Sequence, residues 1–241
     1  MKNDLFSIGP FTVHGYGLMI AIGVLSAYYM VEYRAKKKQM DWEKVFPLTV
    51  WSVLGGFLGS KILYLLTRLP DILANPALLG SSIKDGFVVY GGIIGGILTA
   101  WIYCKCTKWN FWKIFDIAMP AVAMAQGFGR IGCLLAGCCY GIELDPANPI
   151  GIVFHNSAYA PNDVALLPTQ IISSVLDFAN CFVLLALSKK LKTDGQVASC
   201  YLIFYSIGRF VLEYFRGDLI RGNVGEFSTA QFISLLICLL G

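Results

Sequence analysis

Gly129-Arg130-Ile131-Gly132-Cys133-Leu134-Leu135-Ala136-Gly137-Cys138-Cys139-Tyr140-Gly141 is the stretch on which the fold turns. It closes an apolar run, Ile114–Leu135, long enough to cross a bilayer, for which a helix needs about 20 apolar residues. It also sets a fixed positive charge at the edge of that run. An arginine near the bilayer centre costs roughly 2.5 kcal/mol or more, and less near the surface, so such a residue has a partner or a job. The glycines around it leave room for a second group to approach the backbone. A lipid phosphate would satisfy both facts.

Outward from this stretch, six further runs are apolar: Val13–Tyr33, Val45–Thr67, Phe87–Cys104, Leu167–Leu187, Val197–Phe215 and Phe227–Leu240. The last two are short or interrupted. Of 241 residues, 56% are hydrophobic and 14% charged, with a mean hydropathy of +0.65. A soluble domain is about half apolar and about a quarter charged. The expected fold is an all-α integral membrane protein of about seven transmembrane helices, a single membrane domain over 1–241 without internal repeats. No small-residue cleavage site follows the first run before Arg34, so that run is expected to remain as the first helix.

Charge sets the orientation. Arg34, Lys36, Lys37, Lys38 and Lys44 lie between the first two runs, Lys105, Lys108 and Lys113 between the third and fourth, and Lys189, Lys190 and Lys192 between the fifth and sixth. The opposite side carries Lys2, Arg68, Lys84, Arg216 and Arg221, and the loop 136–166 has no basic residue. The positive-inside rule then places the amino terminus outside and the carboxyl terminus in the cytoplasm. The loop 136–166 is expected outside, capping the site. Topology accounts for the net charge of +4, and no nucleic-acid partner is expected.

The polar residues within the runs are the candidates for chemistry. Tyr16, after His14-Gly15, either belongs to an interfacial aromatic belt or points into a groove opened by its glycines. Gly55 and Gly59 form a small-xxx-small face for close helix packing. Lys61 either snorkels to the surface or reaches a lipid phosphate. Gly91, Gly92, Gly95 and Gly96 put glycine on one face beside Tyr90, which means tight packing or space for a ligand. Asp116 opens its helix and favours the amino end electrostatically, with Pro120 in or near the first turn. Arg130 lies about 21 Å further along at 1.5 Å per residue, so the two cannot pair and Arg130 needs another anion. Arg209, Glu213 and Arg216 share one helical face. They form a self-satisfied charge cluster, or Arg216 faces the same site as Arg130, where a guanidinium fork suits phosphate.

Among eight cysteines, Cys104, Cys181, Cys200 and Cys238 are scattered and behave as small hydrophobes. Cys133, Cys138 and Cys139 are clustered. They are packing residues, or reactive thiols activated by Arg130. No metal is expected, because no His or acidic residue stands at matching spacing and three thiols leave a tetrahedral position unfilled.

Several segments together resemble the prolipoprotein diacylglyceryl transferase family. They are His14-Gly15-Tyr16-Gly17-Leu18-Met19, Tyr90-Gly91-Gly92-Ile93-Ile94-Gly95, Asp116 with Pro120, Gly129–Gly141, Leu167-Pro168-Thr169-Gln170, Glu213-Tyr214-Phe215-Arg216 and Thr229-Ala230-Gln231-Phe232-Ile233-Ser234. They occur in the family's order and span nearly the whole chain. The resemblance implies transfer of diacylglyceryl from phosphatidylglycerol to the lipobox cysteine of a preprolipoprotein, with release of glycerol 1-phosphate. It implies a multi-pass protein of a bacterial cytoplasmic membrane whose site faces outward, with no cofactor. It implies catalytic roles for Tyr16, Tyr90, Arg130 and Arg216, the two arginines holding the departing phosphate. Gly91, Gly92, Gly129, Gly132, Cys133, Gly141 and Glu213 would contact substrate.

The chain departs from the family pattern at four places. Tyr90 stands where a His is usual, Cys133 where an Asn is usual, and Cys138 and Ser173 where acidic residues are common. A tyrosine with an ordinary pKa near 10 is a poor base at pH 7. The departures keep open a related headgroup transferase with another acceptor. An anion transporter would call for internal repeats or paired broken helices, and the sequence has neither.

Overall fold

The computed structural model describes residues 4–8, 11–75, 80, 82–83, 86–218, 223–225 and 227–241. Lys2, Lys84 and Arg221, which enter the charge asymmetry, lie outside the described residues. A hairpin of β1 (Asp4–Ile8) and β2 (Phe11–His14) leads into α1 (Gly15–Lys37). A short 3-10 turn (Trp42–Lys44) precedes α2 (Val45–Thr67), and α3 (Leu69–Ala74) follows it. Then come α4 (Val89–Thr107) and α5 (Phe111–Ala136). A two-stranded hairpin, β3 (Ile152–Val153) and β4 (Ala165–Leu166), separates α5 from α6 (Thr169–Leu187) and α7 (Gln196–Glu213). The chain closes with β5 (Asn223–Val224), β6 (Phe227–Ser228) and α8 (Thr229–Leu240).

Five of these segments are long and apolar enough to cross a membrane: Gly15–Lys37, Trp42–Thr67, Val89–Thr107, Phe111–Ala136 and Thr169–Leu187. They carry exposed large side chains such as Leu25, Phe57 and Phe182, as a lipid-facing surface does. The all-α membrane class is therefore what the chain adopts. The sixth and seventh expected runs form α7, which carries Arg209 and Glu213, and α8, which is apolar but only 12 residues long.

The described residues group into two compact units, residues 32–114 and residues 1–31 with 115–241. In the first, α2 and α4 pack through glycine. A Cβ added to Gly59 would lie 3.0 Å from the Gly95 Cα and closer still to the Gly91 carbonyl, and one on Gly56 would lie 3.2 Å from the Gly92 carbonyl. No larger residue permits that approach. Lys61 reaches backbone carbonyls and an aromatic face. Its Nζ donates to the carbonyls of Ser82 (3.3 Å) and Gly86 (3.0 Å) and lies 4.3 Å above the Phe87 ring.

In the second unit, the expectation for Asp116 is corrected. The helix begins earlier, at Phe111, because the Asn110 side chain accepts from the backbone N–H groups of Trp112 (3.0 Å) and Lys113 (3.4 Å). Asp116 is buried inside α5 and caps a different helix. Its two carboxylate oxygens accept from Gly195 N and Ala198 N, each at 2.8 Å, at the start of α7. A helix amino end offers unsatisfied N–H groups and positive potential, which a buried carboxylate answers. Pro120 likewise lies in the helix interior rather than the first turn, and is fully buried. Around it, Met119, Ala123, Cys181, Leu184, Val197, Ala198 and Tyr201 form the core joining α5, α6 and α7.

Candidate active site

The site is organised by how α5 ends. Gly137 has φ +73, a left-handed conformation that glycine adopts without strain. Its N–H donates to Leu134 O (3.1 Å), and the next N–H, of Cys138, donates back to Cys133 O (3.1 Å). This pair of bonds is a Schellman motif, in which the residue after the glycine folds back onto the last full turn. The motif brings Cys138 onto Cys133. Cys139, itself left-handed at φ 62, turns its side chain to the same place. The three Sγ atoms lie within 4.8 Å of one another, and none is in a disulfide. The turn is pinned from the far side. Thr169 Oγ1 donates to the Cys139 carbonyl (2.9 Å) and Gln170 Nε2 to that of Cys138 (2.8 Å).

Residues 140–142 then run between two other segments. Gly217 N donates to Tyr140 O (3.1 Å) and Ile142 N to Phe215 O (3.0 Å) on one side. Gly141 N donates to Leu167 O (3.0 Å) and Leu167 N to Ile142 O (2.9 Å) on the other. Gly141 must be glycine here, since a Cβ would lie 2.6 Å from the Leu167 carbonyl. This strip brings Arg216, bridged to Gly141, up to the cysteine turn. The loop 136–166 folds on its own core of Phe154, Ala160 and Leu166, packed with Leu134 and Tyr140 beside the turn.

Arg216 is buried. Its Nε and Nη2 donate to the two oxygens of Asp218 (2.7 and 2.6 Å), and its Nε lies 3.9 Å from Glu213. It is also hydrogen-bonded to Cys139. Burial pulls the guanidinium pKa down, but the bonds to Asp218 and Cys139 hold it above the ordinary Arg value. Hydrogen bonds from Cys133 and Cys138, aided by Arg216, bring the Cys139 thiol below its usual range, while bonding to Cys133 and Cys139 together with burial pushes Cys138 up. Glu213 pairs with Arg209 (2.6 Å) and accepts from Ser228 Oγ (3.0 Å), so the expected shared face of Arg209, Glu213 and Arg216 is present.

Arg130 interacts electrostatically with Cys133, Cys139, Tyr205 and Asp177, the last with its Oδ2 4.0 Å from the Arg130 Nε. The further anion that Arg130 needs is within reach as a carboxylate, and Arg216 is held by a carboxylate through two bonds. Asp177, buried in α6, escaped the sequence reading. Its signal was present, since it is the single charged residue of an apolar run and an intramembrane carboxylate is seldom idle. Arg216 is bonded to Cys139 and Arg130 interacts with it electrostatically, so the charge of both guanidinium groups is felt at one thiol.

Tyr16, at the start of α1, interacts electrostatically with Arg130 and all three cysteines, and its ring backs onto Gly132, where a Cβ would lie 3.2 Å from Tyr16 Cδ2. Gly129 is different: nothing lies within 4 Å of a Cβ placed there. Tyr16, Gly129, Arg130, Gly132, Cys133, Gly141, Glu213 and Arg216 are thus gathered in one unit. Tyr90, Gly91 and Gly92 belong to the other. The faces of Gly91 and Gly92 are filled by α2 backbone, which gives these two glycines a packing role.

Chemically, two fixed cations and a thiol cluster at a helix end can bind a phosphate and handle sulfur. The family model for prolipoprotein diacylglyceryl transferase matches residues 3–241. A phosphatidylglycerol–prolipoprotein diacylglyceryl transferase of Clostridium tetani is 45% identical over 242 residues, covering all of this chain and 95% of the relative. A second, of Clostridium perfringens, is 44% identical over 241 residues, covering all of this chain and 93% of the relative. One from Staphylococcus carnosus is 31% identical over 243 residues, covering 98% of this chain and 86% of the relative.

Proposed function

We infer that this chain, which belongs to the prolipoprotein diacylglyceryl transferase family, moves the diacylglyceryl group of phosphatidylglycerol onto the lipobox cysteine thiol of a preprolipoprotein and releases glycerol 1-phosphate. The observation that carries this reading is that Arg216 and Arg130 both act on the cysteine turn, in a chain that is 45% identical to a phosphatidylglycerol–prolipoprotein diacylglyceryl transferase over 95% of that relative's length. The reaction breaks a carbon–oxygen bond and leaves charge on a phosphate. Donors placed where that charge develops lower the barrier.

Arg130 and Arg216 hold the phosphate in this reading. A guanidinium has five N–H donors, so Asp177 and Asp218 orient the two forks and still leave donors for a ligand. Glu213 and Arg209 steady Arg216 from behind, and Tyr16 with Gly132 shapes the wall. The acceptor thiol attacks the glyceryl carbon as the phosphate leaves. The chain spans the membrane seven times in this reading, α7 and α8 included, with the amino terminus outside. The site faces outward and the segment 136–166 covers it, a placement supported by the charge asymmetry of the loops.

Purified protein incubated with phosphatidylglycerol and a lipobox peptide tests the activity by mass spectrometry. The expected product is the peptide plus one diacylglyceryl group on sulfur. An unmodified peptide, with the protein folded and the lipid in excess, sinks the reading. Labelling of an introduced cysteine in the segment 136–166 from the cytoplasmic side only would overturn the orientation.

A further inference from the structure

Three thiols converge beside the arginine pair, and the phosphate-binding role just described uses none of them. Their arrangement has a specific chemistry. Tetrahedral zinc with Zn–S bonds of about 2.3 Å sets its sulfurs roughly 3.8 Å apart. The Sγ atoms of Cys133, Cys138 and Cys139 all lie within 4.8 Å of one another, so small side-chain rotations bring them onto such a shell. The scaffold is rigid where it matters. The Schellman turn fixes Cys138 against Cys133, and the bonds from Thr169 and Gln170 fix the carbonyls of Cys139 and Cys138. Charge also suits it. Three thiolates around a divalent ion leave one net negative charge, which Arg216 and Arg130 face. Thiolates in tetrahedral array select zinc over harder ions.

A set of three protein ligands is also what distinguishes a reactive zinc site from a structural one, which is closed by four. We propose that Cys133, Cys138 and Cys139 hold a zinc ion whose fourth position takes the acceptor cysteine thiol. This assignment rests on the transferase reading above. A thiol bound to zinc loses its proton outright. That is the activation the reaction needs, and neither of the chain's histidines is required for it. The sequence of bonds balances. The acceptor thiol binds the ion and gives its proton to water. Its sulfur lone pair forms the carbon–sulfur bond to the glyceryl carbon while the carbon–oxygen bond breaks. The electron pair of that bond goes to the departing glycerol phosphate, which Arg130 and Arg216 hold as a dianion. The product thioether is a weaker ligand and leaves the ion open for the next thiol.

The test uses the full chain in detergent. Zinc content is measured by mass spectrometry, and the ion is then exchanged for cobalt(II), whose thiolate charge-transfer band counts bound sulfurs. The expected results are about one zinc per chain and a band that grows when a lipobox peptide is added. The same peptide with Ser for its cysteine leaves the band unchanged. Chelation is expected to lower transfer by about a hundredfold, the usual worth of a proton-transfer group, and added zinc to restore it. A chain that binds neither zinc nor cobalt overturns the proposal, as does a cobalt band indifferent to the peptide thiol. These measurements need no variant, so misfolding cannot blur them. The Cys133→Asn variant adds a second arm and is expected to lose the ion. Full transfer by a metal-free chain sinks the zinc site and leaves the transferase reading intact. A cobalt band that responds to the peptide, in a chain that transfers nothing from phosphatidylglycerol, supports the zinc–thiol site and sinks the donor reading instead.

Discussion

Two glycine-rich regions of this chain look alike on paper and do opposite things. In the unit of residues 32–114, Gly55, Gly56 and Gly59 of α2 meet Gly91, Gly92 and Gly95 of α4, and helix backbone, joined at Gly55 by the Thr99 side chain, occupies the space their missing side chains leave. In the other unit, the glycines of Gly129–Gly141 stand among charges and thiols. There Gly129 faces open space, Gly137 makes a turn and Gly141 admits a neighbouring strand. The difference lies in the company. Glycines spaced by four among aliphatic residues on two helices build an interface. Glycines interleaved with arginine and cysteine at a helix end build a site.

The largest effect that would break this contrast concerns the charges. Arg130→Lys keeps the charge and loses the planar fork, so transfer is expected to fall about 10²–10³-fold, the range for removing one donor to developing charge. The rate of peptide diacylation at saturating lipid measures it. Wild-type turnover in Arg130→Lys would remove Arg130 from the phosphate site.

A second substitution attacks the other region. Gly59→Leu forces a side chain where the Gly95 Cα would lie 3.0 Å from its Cβ. Overpacking of this kind costs about 1–3 kcal/mol, and rigid backbone on both sides puts Gly59→Leu at the upper end. Thermal unfolding in detergent is expected to shift down accordingly. An unchanged midpoint would mean that α2 and α4 are not held through these glycines.

How much of this was legible in sequence follows from what each feature depends on. The apolar runs, the charge cluster of Arg209, Glu213 and Arg216, and the glycine interface are set by local spacing, and all three are present. Asp116 was read as capping its own helix because sequence shows only the neighbours along the chain. Its real partners, Gly195 and Ala198, come from tertiary packing. Asp177 is marked in sequence only as a lone charge in an apolar run, and its neighbour Arg130 comes from another helix. The thiol cluster is legible in the sequence, and the structure brings its three sulfurs together. A helix ending in glycine folds the next residue onto the last turn, and here those residues are Cys138 and Cys133.

Asp116 gives the third prediction. Asp116→Ala leaves two helix-start N–H groups, one buried and one partly buried, without their acceptor, and is expected to cost about 2 kcal/mol of stability. The transfer rate per folded molecule is expected to hold, since Asp116 caps α7 and the phosphate is held by other residues. A lower unfolding midpoint with unchanged turnover is the expected pair of results. Lost turnover in fully folded protein would give Asp116 a part in the chemistry.

The smallest effect separates two glycines three residues apart. A methyl at Gly129 meets nothing within 4 Å, whereas one at Gly132 would lie 3.2 Å from Tyr16 Cδ2 and 3.3 Å from Met19 Cβ. Glycine within a helix costs about 0.5–1 kcal/mol relative to alanine. Gly129→Ala is therefore expected to raise the unfolding midpoint slightly. At Gly132 the same helical gain is offset by the tight contact with Tyr16, so Gly132→Ala is expected to be near neutral or mildly destabilising. Function should run the other way at Gly129. The open face there is the space in which the donor lipid would approach Arg130, so a methyl placed in it should raise the KM for phosphatidylglycerol with little change in kcat. A protein made more stable and a poorer binder by one methyl would mark Gly129 as a position kept open for substrate, the trade expected where stability and function compete. An unchanged KM beside a raised midpoint would show that the open face is simply unfilled, and that Gly129 serves neither substrate nor helix packing.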